Sequence, residues 1–163
     1  MDLNKRVIDM LDTKVELLGQ VALFRGLSPT QIAAIANVAK KALFDIGDKI
    51  VTEGEVGDTA YIIMTGKAAC PRIEGDHHFD QDLWPGTLIG ELAMLVDTTH
   101  NFSVVAKERV RAMALHREDL RVAMEAEPGI AQHISEMLLV RLHGLAADLR
   151  RIDNQLAAIE NAA

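Results

Sequence analysis

Residues 85–106, PGTLIGELAMLVDTTHNFSVVA, hold the side chains most suited to chemistry. Gly86 and Gly90 read as turn glycines. Glu91 follows at once, at the head of a short apolar helical turn, and a polar hinge leads on to His100. A strand-like run then covers 103–106. The stretch has the look of a loop that holds a ligand, with Glu91 at a helix start and His100 as the residue whose membership is open. Each also has a plainer reading. A glutamate at a helix start complements the macrodipole with no ligand present, and a loop histidine is commonly a solvated one.

No other constellation points to catalysis. No Ser/His/Asp or paired-carboxylate arrangement stands out, although such sites are set by geometry rather than sequence order. His77-His78, on an expected hairpin tip, reads as a surface pair rather than a metal site. Cys70 is the only cysteine, so no intrachain disulfide can form, and CxxC or Cys/His zinc spacing is absent. The chain is expected to be no enzyme, with no metal and no resident cofactor.

The elements that position the loop follow from periodicity. Leu3, Val7, Leu11, Val15 and Leu18 recur every three or four residues, which predicts a helix up to about Gln20. Gly26-Leu27-Ser28 interrupts the chain and restarts it. Ser28 suits an N-cap, Pro29 the first helical position and Gln31 the capping box, so a second helix is expected from Pro29 to about Lys41. From 43 to 115, short apolar runs are punctuated by Gly47, Gly54, Gly57, Gly66, Gly75, Gly86 and Gly90, the pattern of a closed β sandwich or barrel. Helix chemistry returns at His116-Arg117-Glu118-Asp119-Leu120. Glu127-Pro128-Gly129 breaks it, and a last helix starts near Ile130. There Leu138, Leu142, Leu145, Leu149, Ile152, Leu156 and Ile159 step by alternating fours and threes. Up to Leu142 this seam suits a helix lying on its own β core; beyond it, self-association.

At 163 residues, 49% hydrophobic and 25% charged, the chain is long enough for one domain with helical extensions. Its net charge of −7 disfavours DNA or an anionic membrane as main partner. No signal peptide or transmembrane run is seen at the N-terminus, and the cytoplasm is the expected compartment.

Three stretches, in this order and spacing, carry a resemblance: LFRGLSPTQI with DIGDKIVTEGEVGDTAYIIMTGKA; LWPGTLIGELAML with SVVA; and LHREDL with EPGIAQHISEMLLVRL. Over about residues 21–143 the sequence resembles the cyclic nucleotide-binding domain, the sensor module of catabolite-activator-type regulators, protein kinase A regulatory subunits and gated channels. The resemblance implies a mainly β fold, an eight-stranded jelly roll with helices before and after it. It divides the chain into an N-terminal helix (1–20), the binding domain (21–143) and a coiled-coil-like extension (144–163). It also implies that Gly90, Glu91, Leu92 and Ala93 begin a phosphate-binding cassette. There the glutamate accepts the ribose 2′-hydroxyl, and helix-start amides, which lack internal partners, face the phosphate.

Where the family usually has a phosphate-pairing arginine, this chain has His100. Asn101 and Phe102 follow in place of small residues, and crowd or refill the pocket. Arginine offers a permanent charge in a planar fork, which histidine lacks. Losing one partner of a desolvated charge pair costs about 2–5 kcal/mol. Arg141 falls where some members cap the base, and its plainer reading is a surface arginine. Cys70 falls on a pocket-lining strand, with a small core residue as the plainer reading.

Two functions follow from the resemblance. One is a cyclic-nucleotide sensor, with cAMP the first expected ligand and cGMP the other, acting through an unidentified protein partner or a homodimer of the last helix. The twenty or so residues after Leu142 are too few for a DNA-binding helix-turn-helix unit. The alternative is a nucleotide-silent dimerisation or protein-interaction scaffold on the same fold. Metal-dependent cupin chemistry, which a β roll can also host, lacks its His-x-His with downstream Glu and His.

Overall fold

The computed structural model describes residues 3–74 and 77–162. Helix α1 (Leu3–Gln20) is followed by a 3-10 turn, Ala22–Phe24, that buries Leu23 and Phe24, and then by α2 (Pro29–Val38). The capping box forms in full: the Gln31 amide donates to Ser28 Oγ at 3.3 Å, and the Ser28 amide donates to Gln31 Oε1 at 2.8 Å. α2 stops short of the expected Lys41 because Lys40 is already paired with Ala114 in the first strand.

Among the described residues ten strands follow: β1 (Lys40–Phe44), β2 (Lys49–Val51), β3 (Val56–Gly57), β4 (Thr59–Thr65), β5 (Ala68–Glu74), β6 (His77–Leu83), β7 (Leu88–Ile89), β8 (Thr98–Thr99), β9 (Val104–Ala106) and β10 (Val110–His116). They build two four-stranded antiparallel sheets, in the orders β1-β10-β4-β7 and β2-β9-β5-β6. Eight strands were expected. The two sheets account for eight, and the short β3–β8 pair is additional. The centre of the chain is sheet with helices at both ends. Among the described residues, however, helix outweighs strand, because the last helix alone has 35 residues.

Helices α3 (Arg117–Ala126) and α4 (Pro128–Ala162) close the fold. Glu127 separates them with φ −131° and ψ 84°, outside the helical region, as expected of a residue that precedes proline. α4 begins at Pro128 rather than Ile130.

Two apolar clusters result. Leu18, Phe24, Ile35, Ile62, Met113, Leu115, Leu120 and Ile130 pack the helices on one face of the β4–β10 sheet. Ile50, Ile63, Cys70, Ile89, Val104 and Ala112 fill the space between the sheets. Cys70 is thus a buried core residue. α1 is part of this body, with Leu18 fully buried, and the 143/144 boundary falls inside an unbroken helix. Packing of α4 on the apolar core ends at Leu138. Leu142, Leu145, Leu149, Ile152, Leu156 and Ile159 are all exposed.

His77 and His78 open β6 beside the hairpin tip; Gly75 lies outside the described residues. Among the described residues no cluster of three or more His, Cys, Asp or Glu is placed to hold a metal ion. None of the described helices is long and apolar enough to cross a membrane.

One buried cation ties α1 to α2. Lys14, 8% exposed, donates to the carbonyls of Ala39 at 2.7 Å and Ala36 at 3.3 Å. These lie at the C-terminal end of α2, where carbonyls lack intrahelical partners and the dipole favours positive charge. Burial, and secondarily the charge of Lys41, lower the Lys14 pKa below 10.5. Lys14→Met leaves two buried carbonyls unpaired and should destabilise the fold by about 1–3 kcal/mol in chemical denaturation. Between the depressed folded value and 10.5 the unfolded chain binds more protons, so this lysine makes stability rise with pH. That alkaline slope should be smaller in the variant.

Candidate functional site

The loop after β7 starts at Gly90, whose φ of 73° and ψ of 34° lie in the left-handed region. A Cβ there would stand 3.1 Å from the Thr59 carbonyl oxygen, so glycine is needed for both conformation and space. A 3-10 turn, Glu91–Met94, follows. Ala93 and Met94 are buried, while Leu92 is 53% exposed. The Ala93 amide donates to the Gly90 carbonyl at 3.0 Å. The turn's own first bond therefore occupies it, and the amides of Glu91 and Leu92 precede that bond.

The β3–β8 pair sets His100. Val56 faces Thr99 and Gly57 faces Thr98. The ladder continues as the His100 amide donates to Glu55 O at 2.9 Å and the Gly54 amide donates to His100 O at 2.8 Å. The imidazole is wedged between two glycines. A Cβ on Gly57 would stand 2.4 Å from His100 Nε2 and 2.9 Å from the Ala93 methyl, and one on Gly90 would stand 3.3 Å from His100 Cε1. A side chain at Gly57 would therefore have to displace the ring and the Ala93 methyl.

Arg117 staples these parts together, and sequence reasoning did not single it out. Its Nε donates to Ala93 O at 3.0 Å, its Nη2 to Gly57 O at 2.8 Å, and its Nη1 pairs with Asp97. As the first residue of α3 it opposes the helix dipole, so the carbonyls, not the helix, account for its position. No local pattern could have revealed it, since its acceptors lie 24 and 60 residues away. Beside it, the Thr59 hydroxyl donates to Asp58 Oδ1 at 2.6 Å and lies 2.5 Å from His116 Nδ1. The hydroxyl has a single proton, so the imidazole must be the donor in the second contact. The Thr59 hydroxyl, with smaller help from His116 and Arg117, holds the Asp58 carboxyl below its usual range.

These elements enclose a cavity of about 430 Å³. Gly90, Glu91, Leu92, Ala93, His100, Asn101 and Arg141 all line it, so every site residue taken from the sequence meets there. Phe102 lines it too. It also packs on the core between the sheets, with the Arg72 guanidinium 5.7 Å from its ring centroid, so it fills space rather than protruding. α4 closes the far side with Leu138, Leu142 and Leu145. From α4, Arg141 Nη1 reaches across to Glu91 Oε1 and pairs with it. His100 also lines a second cavity of about 170 Å³ with Glu55, Asp58 and Tyr61.

Residues 41–127 match the cyclic nucleotide-binding domain. The chain belongs to the cyclic nucleotide-binding domain family. Outside that matched span lie α1 and the Arg141 segment of α4. The chain is 31% identical over 144 residues to a CRP-like cAMP-activated global transcriptional regulator of Mycobacterium tuberculosis, covering 87% of this chain and 61% of that protein. Among solved structures, the Thermus thermophilus catabolite activator protein superposes with a TM-score of 0.64 at 28% identity, over 81% of this chain and 63% of that one. The N-terminal domain of a Streptomyces coelicolor transcriptional regulator superposes with a TM-score of 0.75 at 24% identity, over 82% of this chain and 94% of that one, a likeness of fold.

The packing of His100 against Gly57 yields a test. Gly57→Ala should destabilise this cyclic nucleotide-binding domain by about 1–3 kcal/mol, because the new methyl must push the ring and Ala93 aside. Adding His100→Ala should recover much of that loss in a double-mutant cycle of denaturation midpoints. Additive losses would mean that the ring is not held there.

Proposed function

We propose that the 430 Å³ cavity takes a cyclic nucleotide, cAMP before cGMP, and that the chain is a regulatory sensor. The observation that carries this is the convergence of Glu91, the turn that follows it, His100 and Arg141 on one cavity. Its volume falls in the range of small-molecule sites. In this reading Glu91 accepts the ribose 2′-hydroxyl. The Leu92 amide, ahead of the turn's first bond, faces the phosphate. His100 adds charge only when protonated, which weakens phosphate binding relative to an arginine. The reaction is recognition, with no bond made or broken. Output passes through a protein partner or a second copy of the chain rather than DNA, in keeping with the net charge of −7, and the cytoplasm is the compartment assigned.

A second reading is a nucleotide-silent scaffold, and one contact favours it: the Glu91 carboxylate is already engaged by Arg141. Calorimetric titration with cAMP, cGMP and cyclic di-GMP separates the two. The sensor reading expects saturable cAMP binding, and heat from none of the three would leave the scaffold. If His100 meets the phosphate as an imidazolium, cAMP affinity should strengthen as pH falls from about 8 to about 6. His100→Arg, alone and with Asn101→Ala to make room, should tighten binding at neutral pH and flatten the profile. Tight wild-type binding with no pH dependence would remove His100 as a ligand.

The homodimer rests on the exposed α4 seam, Leu142 to Ile159, which would bury its apolar stripe against a second copy. The full chain should sediment as a dimer and a chain ending at Leu142 as a monomer. A full-length monomer at high concentration would refute this interface.

A further inference from the structure

We infer that Arg141 is an anion-binding residue of the cavity, so that α4, and not loop position 100, supplies the permanent positive charge that meets the ligand's phosphate. The inference rests on the cyclic-nucleotide reading above and changes the role of Arg141 within it, from capping the base to holding the anion.

Charge inside the cavity is the first argument. Among the described residues, its charged or titratable lining groups are Glu91, His100 and Arg141, and only Arg141 is a permanent cation. A cyclic phosphodiester brings a negative charge to a place beside the Glu91 carboxylate. Without a fixed cation the two anions repel in a partly desolvated site.

Orientation is the second. The imidazole of His100 is confined between Gly57 and Gly90, and its Nε2 is the atom nearest Gly57. The ring is shared between this cavity and the second one, and it brings a charge to the ligand only when protonated.

Reach is the third. In a 3′,5′-cyclic nucleotide the 2′-hydroxyl and the 3′-oxygen of the phosphate sit on adjacent ribose carbons. A carboxylate that accepts the hydroxyl is therefore next to the phosphate, and a guanidinium bonded to that carboxylate from the cavity side comes within reach of it. Arg141 bonds Glu91 through Nη1 alone. Its Nη2 and Nε make no hydrogen bond among the described residues. Its side chain is 56% exposed and that of Glu91 25%, so the arginine is the less confined of the two. The planar fork can keep Glu91 on one nitrogen and offer the others to phosphate oxygens. With Arg141 on α4, holding the anion also fixes that helix against the β roll.

The test is calorimetric titration of cAMP into full-length wild type, Arg141→Gln, Arg141→Lys, Glu91→Gln and the Glu91→Gln/Arg141→Gln double variant, with thermal melts to confirm folding. Arg141→Gln should bind about ten- to a hundredfold more weakly. Arg141→Lys should recover part of the loss, since it keeps the charge without the fork. The double variant should stay well below Glu91→Gln alone, because deleting the carboxylate does not replace a phosphate partner. If wild type binds but Arg141→Gln binds equally or more tightly, Arg141 is only a lock on Glu91; the inference falls and the nucleotide reading stands. If the double variant matches Glu91→Gln, Arg141 merely neutralises the carboxylate, and the inference again falls alone. If wild type binds no cAMP, both fall.

Discussion

The β1-β10-β4-β7 sheet lies between helices on one face and a second sheet on the other, so it must be apolar on both. β4 meets this demand by alternation. Ala60 and Ile62 pack towards the helices, while Tyr61 and Ile63 pack between the sheets. Slipping the strand by one residue would exchange the two sets, so its register is tightly fixed. The cavity hangs from the N-terminal end of this strand. β7 pairs Ile89 with Tyr61 and leads straight into Gly90. At the same end β3 runs through Asp58 into Thr59. Gly90 and Gly57, the two glycines that grip His100, are each set by their distance from β4.

Much of this was legible in sequence where the cause is local. The capping box at Ser28 and Gln31, the end of α1 at Gln20 and the break at Glu127-Pro128 follow from short-range chemistry, and all three form. The misses share a cause of the opposite kind. α2 ends early because Lys40 pairs with a residue more than seventy positions away. β3 and β8 are two-residue strands with no periodicity to detect. They exist because the loops that carry them are brought together by the sheets.

The site divides in the same way. Gly90, Glu91 and His100 could be found by counting along a motif, and Arg141 by counting from the helix break. What counting could not supply is the relation between them. Glu91 and Arg141 lie fifty residues apart and are joined by an ion pair. The two carbonyls that Arg117 holds come from separate loops. These contacts depend on backbone atoms or on exposed charges, which carry no distinctive sequence pattern. Resemblance locates a candidate pocket; its electrostatics come from contacts that sequence spacing does not encode.

The 35 residues of α4 form one continuous helix whose second half is exposed. A continuous helix behaves as a lever, and its fulcrum lies near Leu138, where packing on the core ends. From there to Ala162 the arm measures on the order of 36 Å at about 1.5 Å per residue. A tilt of about 10° at the fulcrum moves the far end by roughly 6 Å, more than one helical turn. A sub-ångström adjustment beside the cavity would thereby be magnified along the exposed stripe of Leu149, Ile152, Leu156 and Ile159, and a shift of that size would change which residues meet a helix laid against it.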